Sequence, residues 1–271
     1  MIERSAVVVA GRRQADDGTP KVNKSLYKAL RILDCFTETT PEWSVSELSR
    51  ALGIGKSSVS TMLALLAEMD FVYQSPTSKR YELGLRCLEL GYLASSRLVI
   101  RDYAYPYLEP LLRGNRIIYF GILNQDEVLY IEALFPVRRR INYSSVGRRA
   151  PLYCTAIGKA MLATMPSAYI DTYLRHTPLV PATEHTLTDP DQLRAELEQT
   201  RRRGYSTDLQ ERELGIQCVG VPIRRMDGTL VAALSISGPT SEITLDGIPQ
   251  IAEEGLAASR NISIKLSSAG Y

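Results

Sequence analysis

The stretch from Ser44 to Met69 reads SVSELSRAL, then GIGK, then SSVSTMLALLAEM. Ser44 and Glu47 have the spacing of a capping box, in which each side chain bonds a backbone amide at the start of a helix. Gly53 stands where the chain must leave that helix with a positive φ angle, a conformation that costs glycine almost nothing. The stretch therefore predicts two short helices joined by a tight turn.

The two faces of the second helix differ in character. The face predicted to be buried carries Val59, Met62, Leu63, Leu66 and Met69. The opposite face carries one cation and small hydroxyls, on Lys56, Ser57, Ser58, Ser60 and Thr61. Because no bulky side chain stands there, that face can approach a DNA groove and offer donors and acceptors to bases and phosphates. We predict that these five residues and Ser44 bind DNA.

Two other interpretations compete for this stretch. A helical hairpin with a solvated serine-rich face gives the same pattern, so helix-turn-helix motifs produce false positives. Gly55-Lys56-Ser57 also resembles the end of a phosphate-binding P-loop. That motif requires glycine at position 50, where the chain has Arg50, and a preceding strand rather than a helix. The nucleotide-binding interpretation is therefore excluded, and the solvated hairpin stays open.

The flanking segments favour a winged helix-turn-helix. Ser25 is expected to cap a preceding helix that has an apolar stripe. Residues 71–74 and 80–83 have the composition of two strands around a turn at 75–79. Lys79 and Arg80, at the tip of this hairpin, are predicted to contact DNA phosphates. Helices and a wing in this order strengthen the DNA-binding prediction.

Composition describes an ordinary globular chain. Its 271 residues are 45% hydrophobic and 23% charged, which suits two modest domains. No apolar run has the length of a signal sequence or a membrane span, so we expect a soluble, cytoplasmic protein. The four cysteines form no C-x-x-C pair, which argues against a structural zinc site and indicates free thiols. No glycine-rich dinucleotide fingerprint is present, and we expect neither a metal nor a cofactor.

The chain is predicted to have four segments and an α+β fold. Residues 1–22 mix charge, glycine and proline without periodicity, as a disordered arm would. Residues 23–84 form the winged helix-turn-helix domain. Residues 85–113 form a connecting helical segment that Pro106 and Pro110 should interrupt. Residues 114–271 alternate strand hairpins and helices, which predicts a mixed α/β domain with a largely antiparallel sheet.

Five further segments resemble the IclR family of bacterial transcriptional regulators. They are KRYELG at 79–84, PLYCTAIGKA at 151–160, RGYSTD at 203–208, GIQCVGVP at 215–222 and LSISGP at 234–239. The resemblance implies a ligand-responsive regulator with a GAF-like effector domain, assembled as a dimer or as a tetramer. Thr61 stands where the family usually has a basic residue, so unusual DNA contacts are expected.

The resemblance also implies a pocket for a small organic acid. Its residues are Tyr153, Cys154, Ala156, Ile157, Asp208, Cys218, Ser235 and Ser237. Ser235 and Ser237 alternate along a strand and can direct both hydroxyls to one ligand. Asp208 can accept from a ligand hydroxyl, Cys218 supplies a compact apolar wall, and a helix beginning near Ala156 offers amides to a carboxylate. Tyr153-Cys154 replaces the family's more usual His-Ala pair, which favours an aromatic or phenolic acid.

Charge predicts more than one copy of the chain on DNA. The formal net charge is +2, and Met1 to Tyr92 contains twelve Lys+Arg against eleven Asp+Glu. One copy therefore neutralises few phosphates. We expect a two-fold dimer on an inverted-repeat operator, with the apolar stripe of residues 85–112 as part of the subunit contact.

Two other classes of function stay open. A small-molecule enzyme with a helical accessory domain would need catalytic residues, but no hydrolase or metalloprotease motif is present. His176 and His185 fall in a stretch rich in proline and threonine that is typical of a surface loop. Cys154, at a predicted helix start, is the candidate nucleophile. A sensor module that does not bind DNA is the third class.

Overall fold

The structure is a computed structural model that describes residues 23–136 and 145–269. It divides into two compact units, with the boundary between Arg97 and Leu98. That boundary falls inside the predicted connecting segment, and the predicted arm at residues 1–22 lies outside the described residues. Across the described ranges, no helix has both the length and the apolar character needed to cross a membrane.

The first unit has the predicted order of a winged helix-turn-helix. Its elements are helices α1 (Lys24–Leu33), α2 (Val45–Leu52) and α3 (Lys56–Glu68), strands β1 (Val72–Gln74) and β2 (Tyr81–Leu83), and helix α4 (Leu85–Ser95). Strands β1 and β2 pair antiparallel, and Trp43 bridges to Tyr81. Side chains from α1, α2, α3 and the hairpin form one apolar core, with Leu48, Val59 and Leu63 fully buried.

The turn between α2 and α3 has the predicted chemistry. The Ser44 hydroxyl accepts from the Glu47 amide at 3.3 Å, and the Glu47 carboxylate accepts from the Ser44 amide at 2.8 Å. Gly53 ends α2 with a φ angle of 65°. The capping box and the left-handed glycine are therefore confirmed.

Two expectations about helix ends are wrong. Helix α1 is capped by Asn23 rather than Ser25, because the Asn23 side-chain oxygen accepts from the amides of Ser25 and Leu26. Met69 is 56% exposed rather than buried. Helix α3 ends one residue before it, and Asp70 then takes a positive φ angle of 58° that turns the chain away from the core.

The connecting segment breaks at residues 96–99, which was not predicted, and turns at Pro110, as predicted, whereas Pro106 does not interrupt it. Helix α4 ends at Ser95, where two consecutive serines follow a leucine-rich run. Pro106 lies inside helix α5 (Ile100–Leu108), and Pro110 lies in the short 3₁₀ turn that follows. A helix tolerates a proline when its neighbours hold the backbone, and α5 is held by the buried side chains of Ile100, Ala104 and Leu108.

The second unit is built on a six-stranded sheet whose described pairings are all antiparallel. The strands are β3 (Ile117–Asn124), β4 (Glu127–Leu134), β5 (Arg149–Pro151), β6 (Ser206–Leu209), β7 (Ile216–Arg224) and β8 (Leu230–Pro239), in the order β5-β4-β3-β8-β7-β6. The helices that follow α5 are α6 (Ala156–Leu162), α7 (Ser167–His176), α8 (Pro190–Arg203) and α9 (Ile248–Ser268). The predicted α+β class is confirmed.

The two faces of this sheet have different roles. One face packs against α5 and α9 in a purely apolar core that includes Phe120, Val219 and Ile236. The other face packs against α6, where Ile157 joins Val128 and Ala233 in a second core. Polar side chains are buried beside this second core, so the candidate effector site lies between the sheet and α6.

Three short elements were not predicted. Helix α7 runs through the stretch interpreted as a surface loop, so His176 is the last residue of a helix. The helix forms because Ile170 and Tyr173, three residues apart, are buried on one side. Strands β5 and β6 are edge strands of 3 and 4 residues, too short to show periodicity in sequence.

Candidate DNA-binding surface and effector site

The predicted reading face of α3 is exposed along its length. Lys56, Ser57, Ser58, Ser60 and Thr61 are all exposed, while Val59 and Leu63 on the other side are fully buried. The Thr61 hydroxyl donates to the Ser57 carbonyl at 3.0 Å. Thr61 therefore offers a groove its oxygen lone pairs and its methyl group rather than a free donor, and the methyl suits contact with a thymine methyl.

Arg80 is held inside the winged domain. Its guanidinium donates to the Glu47 carboxylate at 2.8 Å and to the Glu42 carbonyl at 3.1 Å, and lies 3.3 Å from the Glu42 carboxylate. The predicted phosphate contact is not supported, because these groups already engage the guanidinium. Arg80 instead ties the hairpin to the start of α2. The pKa of Glu47 lies below its usual value chiefly because the Ser44 amide donates to its carboxylate, and Arg80 adds to this effect.

Lys79 remains a candidate for phosphate contact. It is exposed at the end of the hairpin turn and adopts a φ angle of 58°. The Gln74 side chain donates to its carbonyl at 3.1 Å, which fixes the turn. Ser44 is half-buried and its oxygen caps α2, so its proposed part in DNA binding is to fix the start of that helix.

Strand register brings four predicted effector residues together. Asp208 on β6 is opposite Cys218 on β7, and Cys218 is opposite Ser237 on β8. Ser235 lies two residues before Ser237, with 3.5 Å between the hydroxyl oxygens. All four residues are buried. Adjacent strands place directly opposite residues on the same face, so these side chains form a buried polar row across the sheet.

Asp208 is a buried carboxyl with an altered affinity for protons. Its Oδ1 accepts from the amides of Glu211 at 2.7 Å and Arg212 at 3.4 Å. Burial, with a smaller contribution from the charge of Glu211, raises the pKa of Asp208 to about 6. At neutral pH the group is mostly an acceptor, as recognition of a ligand hydroxyl requires.

The start of α6 lies directly over this row. A Cβ atom at Gly220 would be 2.3 Å from the Ala156 carbonyl oxygen, so only glycine permits the approach of α6 to β7. The Ser206 hydroxyl contacts the same carbonyl. Thr155 caps the helix by accepting from the Gly158 amide at 3.1 Å. One of the amides expected to be free is therefore already satisfied within the protein.

Tyr153 and Cys154 line the approach to α6, and both are buried. The Tyr153 hydroxyl donates to the Val180 carbonyl at 2.7 Å, which fixes the ring. Burial raises the pKa of the Cys154 thiol to about 11. An activated nucleophile needs the opposite shift, so the environment of Cys154 is that of an inert apolar side chain.

Two tyrosines adjoin this site that sequence reasoning did not identify. Tyr119 on β3 is opposite Ser235, and its ring lies 5.1 Å from that of Tyr130 on β4. Burial raises the pKa of Tyr130, and the charges of Cys218, Arg212 and Asp208 also act on it. Tyr119 and Tyr130 thus form an aromatic wall beside the polar row. Each tyrosine stands in an apolar run that indicates a strand, but only the strand register identifies Ser235 as the neighbour of Tyr119.

A buried ionic cluster connects α6 with α8 and with the loop after β6. Lys159 is 1% exposed, and its ammonium contacts the Glu211 carboxylate and lies 3.9 Å from Glu196. Glu196 in turn binds Arg203 at 2.6 Å. Burial raises the pKa of Glu211, and the charge of Lys159 opposes that effect. The second oxygen of Glu211 is buried and has no hydrogen-bond partner among the residues that the structure describes.

Two cavities in the described part of the chain lie away from the candidate effector site. One is an open groove of about 810 Å³ beside Met69, Tyr73 and Leu85 in the first unit. Another, of about 230 Å³, lies between α7 and α8. The effector site is therefore defined by the chemistry and proximity of its side chains rather than by one of these cavities. Within the described residues, no group of His, Cys, Asp and Glu is arranged to hold a metal ion.

Comparison with known proteins covers both units. The model of the IclR helix-turn-helix domain matches residues 25–76, and that of the bacterial transcriptional regulator IclR C-terminal domain matches residues 92–264. The regulator XynR of Escherichia coli is 34% identical over 88% of this chain and 96% of its own. The Pca regulon regulatory protein of Pseudomonas putida is 32% identical over 95% and 89%. The IclR structure of Thermotoga maritima has a TM-score of 0.69 at 34% identity, over 90% and 98%.

Proposed function

Because the chain belongs to the IclR family of bacterial transcriptional regulators, we propose that it binds an inverted-repeat operator as a dimer or tetramer under the control of a small organic acid. It is a DNA-binding regulator that responds to a ligand. Beyond this, we propose the chemical class of the effector, the assembly of the chain on DNA, and the residues that contact DNA and effector. The observation that carries it is the buried polar row of Asp208, Cys218, Ser235 and Ser237 beside an aromatic wall.

The chemistry of the effector site favours an aromatic acid. Tyr119 and Tyr130 offer ring surface, which an aromatic ligand can stack against at centroid distances of about 4.5–7 Å. Ser235 and Ser237 can donate to a carboxylate, and Asp208 can accept from a hydroxyl at the other end of the ligand. Tyr153, Cys154, Ala156 and Ile157 close the site from the side of α6. A ligand with a ring, an acid and a hydroxyl would satisfy each of these groups.

The assembly is supported by an apolar face on α4. No residue of this helix is buried, and Leu85, Leu88, Tyr92 and Leu93 are each at least 56% exposed. Contiguous exposed apolar surface is typical of contacts between proteins. We propose that this face forms part of the subunit contact. Regulation of this kind acts where the chromosome lies, in the cytoplasm, and requires no catalytic step, in keeping with the raised pKa of Cys154.

Substitutions on α3 test the DNA contacts. Ser58→Ala and Thr61→Ala should each cost on the order of 1–3 kcal/mol at particular operator positions, because they remove groups that face bases. Lys56→Ala should weaken binding to every sequence and reduce the slope of log K against log salt by about one unit. Fluorescence anisotropy with a set of operator variants measures both effects. Lys265→Ala, on α9, is the matched control and should bind like the parent. Parental affinity in all three α3 variants would mean that another surface reads DNA.

Substitution of Ser237 tests the effector site. Ser237→Ala should weaken binding of the organic acid by about 1.5–3 kcal/mol, the range for a hydrogen bond to a charged group. DNA binding without effector should stay intact. Calorimetry of the full chain with a panel of aromatic and aliphatic carboxylates gives the affinities, and Ser263→Ala on α9 serves as the control. An unchanged affinity for the acid in Ser237→Ala would remove Ser237 from the site.

A further inference from the structure

The effector site carries an excess of negative charge. The site and its immediate surroundings contain three carboxylates, on Asp208, Glu211 and Glu196. Lys159 pairs with Glu211 and lies near Glu196, and Arg203 pairs with Glu196. Among the described residues none forms an ion pair with Asp208, although the charge of Lys159 acts on it. A bound carboxylate would add a second uncompensated charge within the same buried region, and like charges at such distances repel each other strongly. A further cation close to the site would offset this charge.

Arg212 is the cation placed to supply this charge. It follows Glu211 in the loop after β6, and its amide lies 3.4 Å from Asp208 Oδ1. Its side chain is exposed, and its guanidinium makes no ion pair or hydrogen bond with the residues that the structure describes. Lys159, by contrast, is buried and committed to Glu211 and Glu196.

The electrostatics of the neighbouring groups agree with this placement. Burial raises the pKa of Tyr130, Tyr153 and Cys154, and in each case the positive charge of Arg212 acts in the opposite direction. These residues belong to three different parts of the site, namely the aromatic wall on β4 and the two positions before α6. The charge of Arg212 therefore acts on side chains from both sides of the site.

We infer that Arg212 determines the specificity of the site for anionic effectors, by supplying the positive charge that offsets a ligand carboxylate bound at Ser235 and Ser237. This inference rests on the proposed function, because it assumes that the effector is an acid. Arg212 acts through charge rather than through a fixed bidentate contact. A lysine at this position should therefore replace it, and salt should weaken its effect because the side chain is exposed.

The test compares acids with neutral analogues of the same shape. The probes are benzoate, 4-hydroxybenzoate, pyruvate and gluconate, each beside its amide, titrated calorimetrically into the full chain. Arg212→Ala should weaken binding of the preferred acid roughly 10- to 30-fold, the size expected for the loss of one nearby unit charge at an effective dielectric constant of about 20. Arg212→Lys should bind within about threefold of the parent, and Arg212→Glu should bind more weakly than Arg212→Ala. Affinity for the amide should be the same in every variant.

Arg225→Ala is the matched control, because Arg225 is an exposed arginine at the β7–β8 turn of the same unit. It should leave affinity for the acid unchanged. A parent that binds an acid, together with an Arg212→Ala variant that binds it equally well, would overturn the inference and leave the proposed function standing. Equal losses of acid and amide would also overturn it, since they would indicate a structural role. A parent that binds none of the four acids would overturn the proposed function itself.

Discussion

Replacing Lys159 with methionine is expected to destabilise the second unit by about 3–5 kcal/mol, the usual cost of removing one partner from a buried ion pair. The ammonium is 1% exposed and contacts Glu211, whose other oxygen has no partner among the described residues. Without Lys159, the Glu211 carboxylate would be left buried and uncompensated. Because Lys159 is on α6 and Glu211 adjoins Asp208, the same change should also disturb the effector site.

The two units can be followed separately in one urea titration. Trp43 is the single tryptophan and lies in the first unit, so its fluorescence reports that unit alone. Circular dichroism reports both. The Lys159→Met variant should shift the dichroism transition and leave the Trp43 transition in place. The double variant Lys159→Met/Glu211→Gln should recover most of the loss, because no unpaired charge remains. A Lys159→Met variant that unfolds like the parent would mean that the pair contributes little.

An intact inverted repeat should bind the chain at least roughly 100-fold more tightly than a duplex with one half-site. A single first unit offers one lysine on the reading face of α3 and exposed Lys79 on the wing, so it should bind near the non-specific range of about 10⁻⁴–10⁻⁶ M. Specific regulation requires roughly 10⁻⁸ M or better. Linking two binding events on one duplex supplies the difference without any new type of contact.

Operator spacing provides the control for this prediction. Inserting about 5 base pairs between the half-sites turns them to opposite faces of the duplex, and inserting about 10 restores the alignment. Affinity measured by anisotropy should fall to the half-site value for the short insertion and recover in part for the long one. Equal affinity for half-site and repeat would contradict the need for two copies.

Polar substitution of Leu88 and Leu93 should weaken the proposed dimer, because both side chains are exposed on α4.

Local chemistry was the part of the fold that the sequence predicted best. The Ser44–Glu47 box and the Gly53 turn are decided within a few residues, and the structure has both. The antiparallel strand hairpins expected in the second unit are also present, as β3–β4 and β7–β8. In these segments burial and turn signals recur at short range, so tertiary contacts were not needed to identify them.

Long-range contacts account for what sequence reasoning missed. Arg80 has the charge and the sequence position of a cation at the tip of the wing, but its partners Glu42 and Glu47 lie more than thirty positions away in the sequence. Tyr119 neighbours Ser235 only because β3 pairs with β8 in that register. Lys159 is paired with Glu211 from a distant part of the chain, and only the structure shows that this cation is engaged. None of these facts has a periodic or local signature.

Two copies of this chain are expected to read an inverted repeat, and to dissociate from it or change position on it when an organic acid binds. Footprinting on the DNA upstream of its own coding sequence, with sedimentation of the same complex, tests this most directly. We expect two protected half-sites on one face of the duplex, occupied by a dimer or tetramer, and a footprint that changes when the preferred carboxylate is added. A monomer that protects one asymmetric half-site with nanomolar affinity, and that no carboxylate affects, would contradict it.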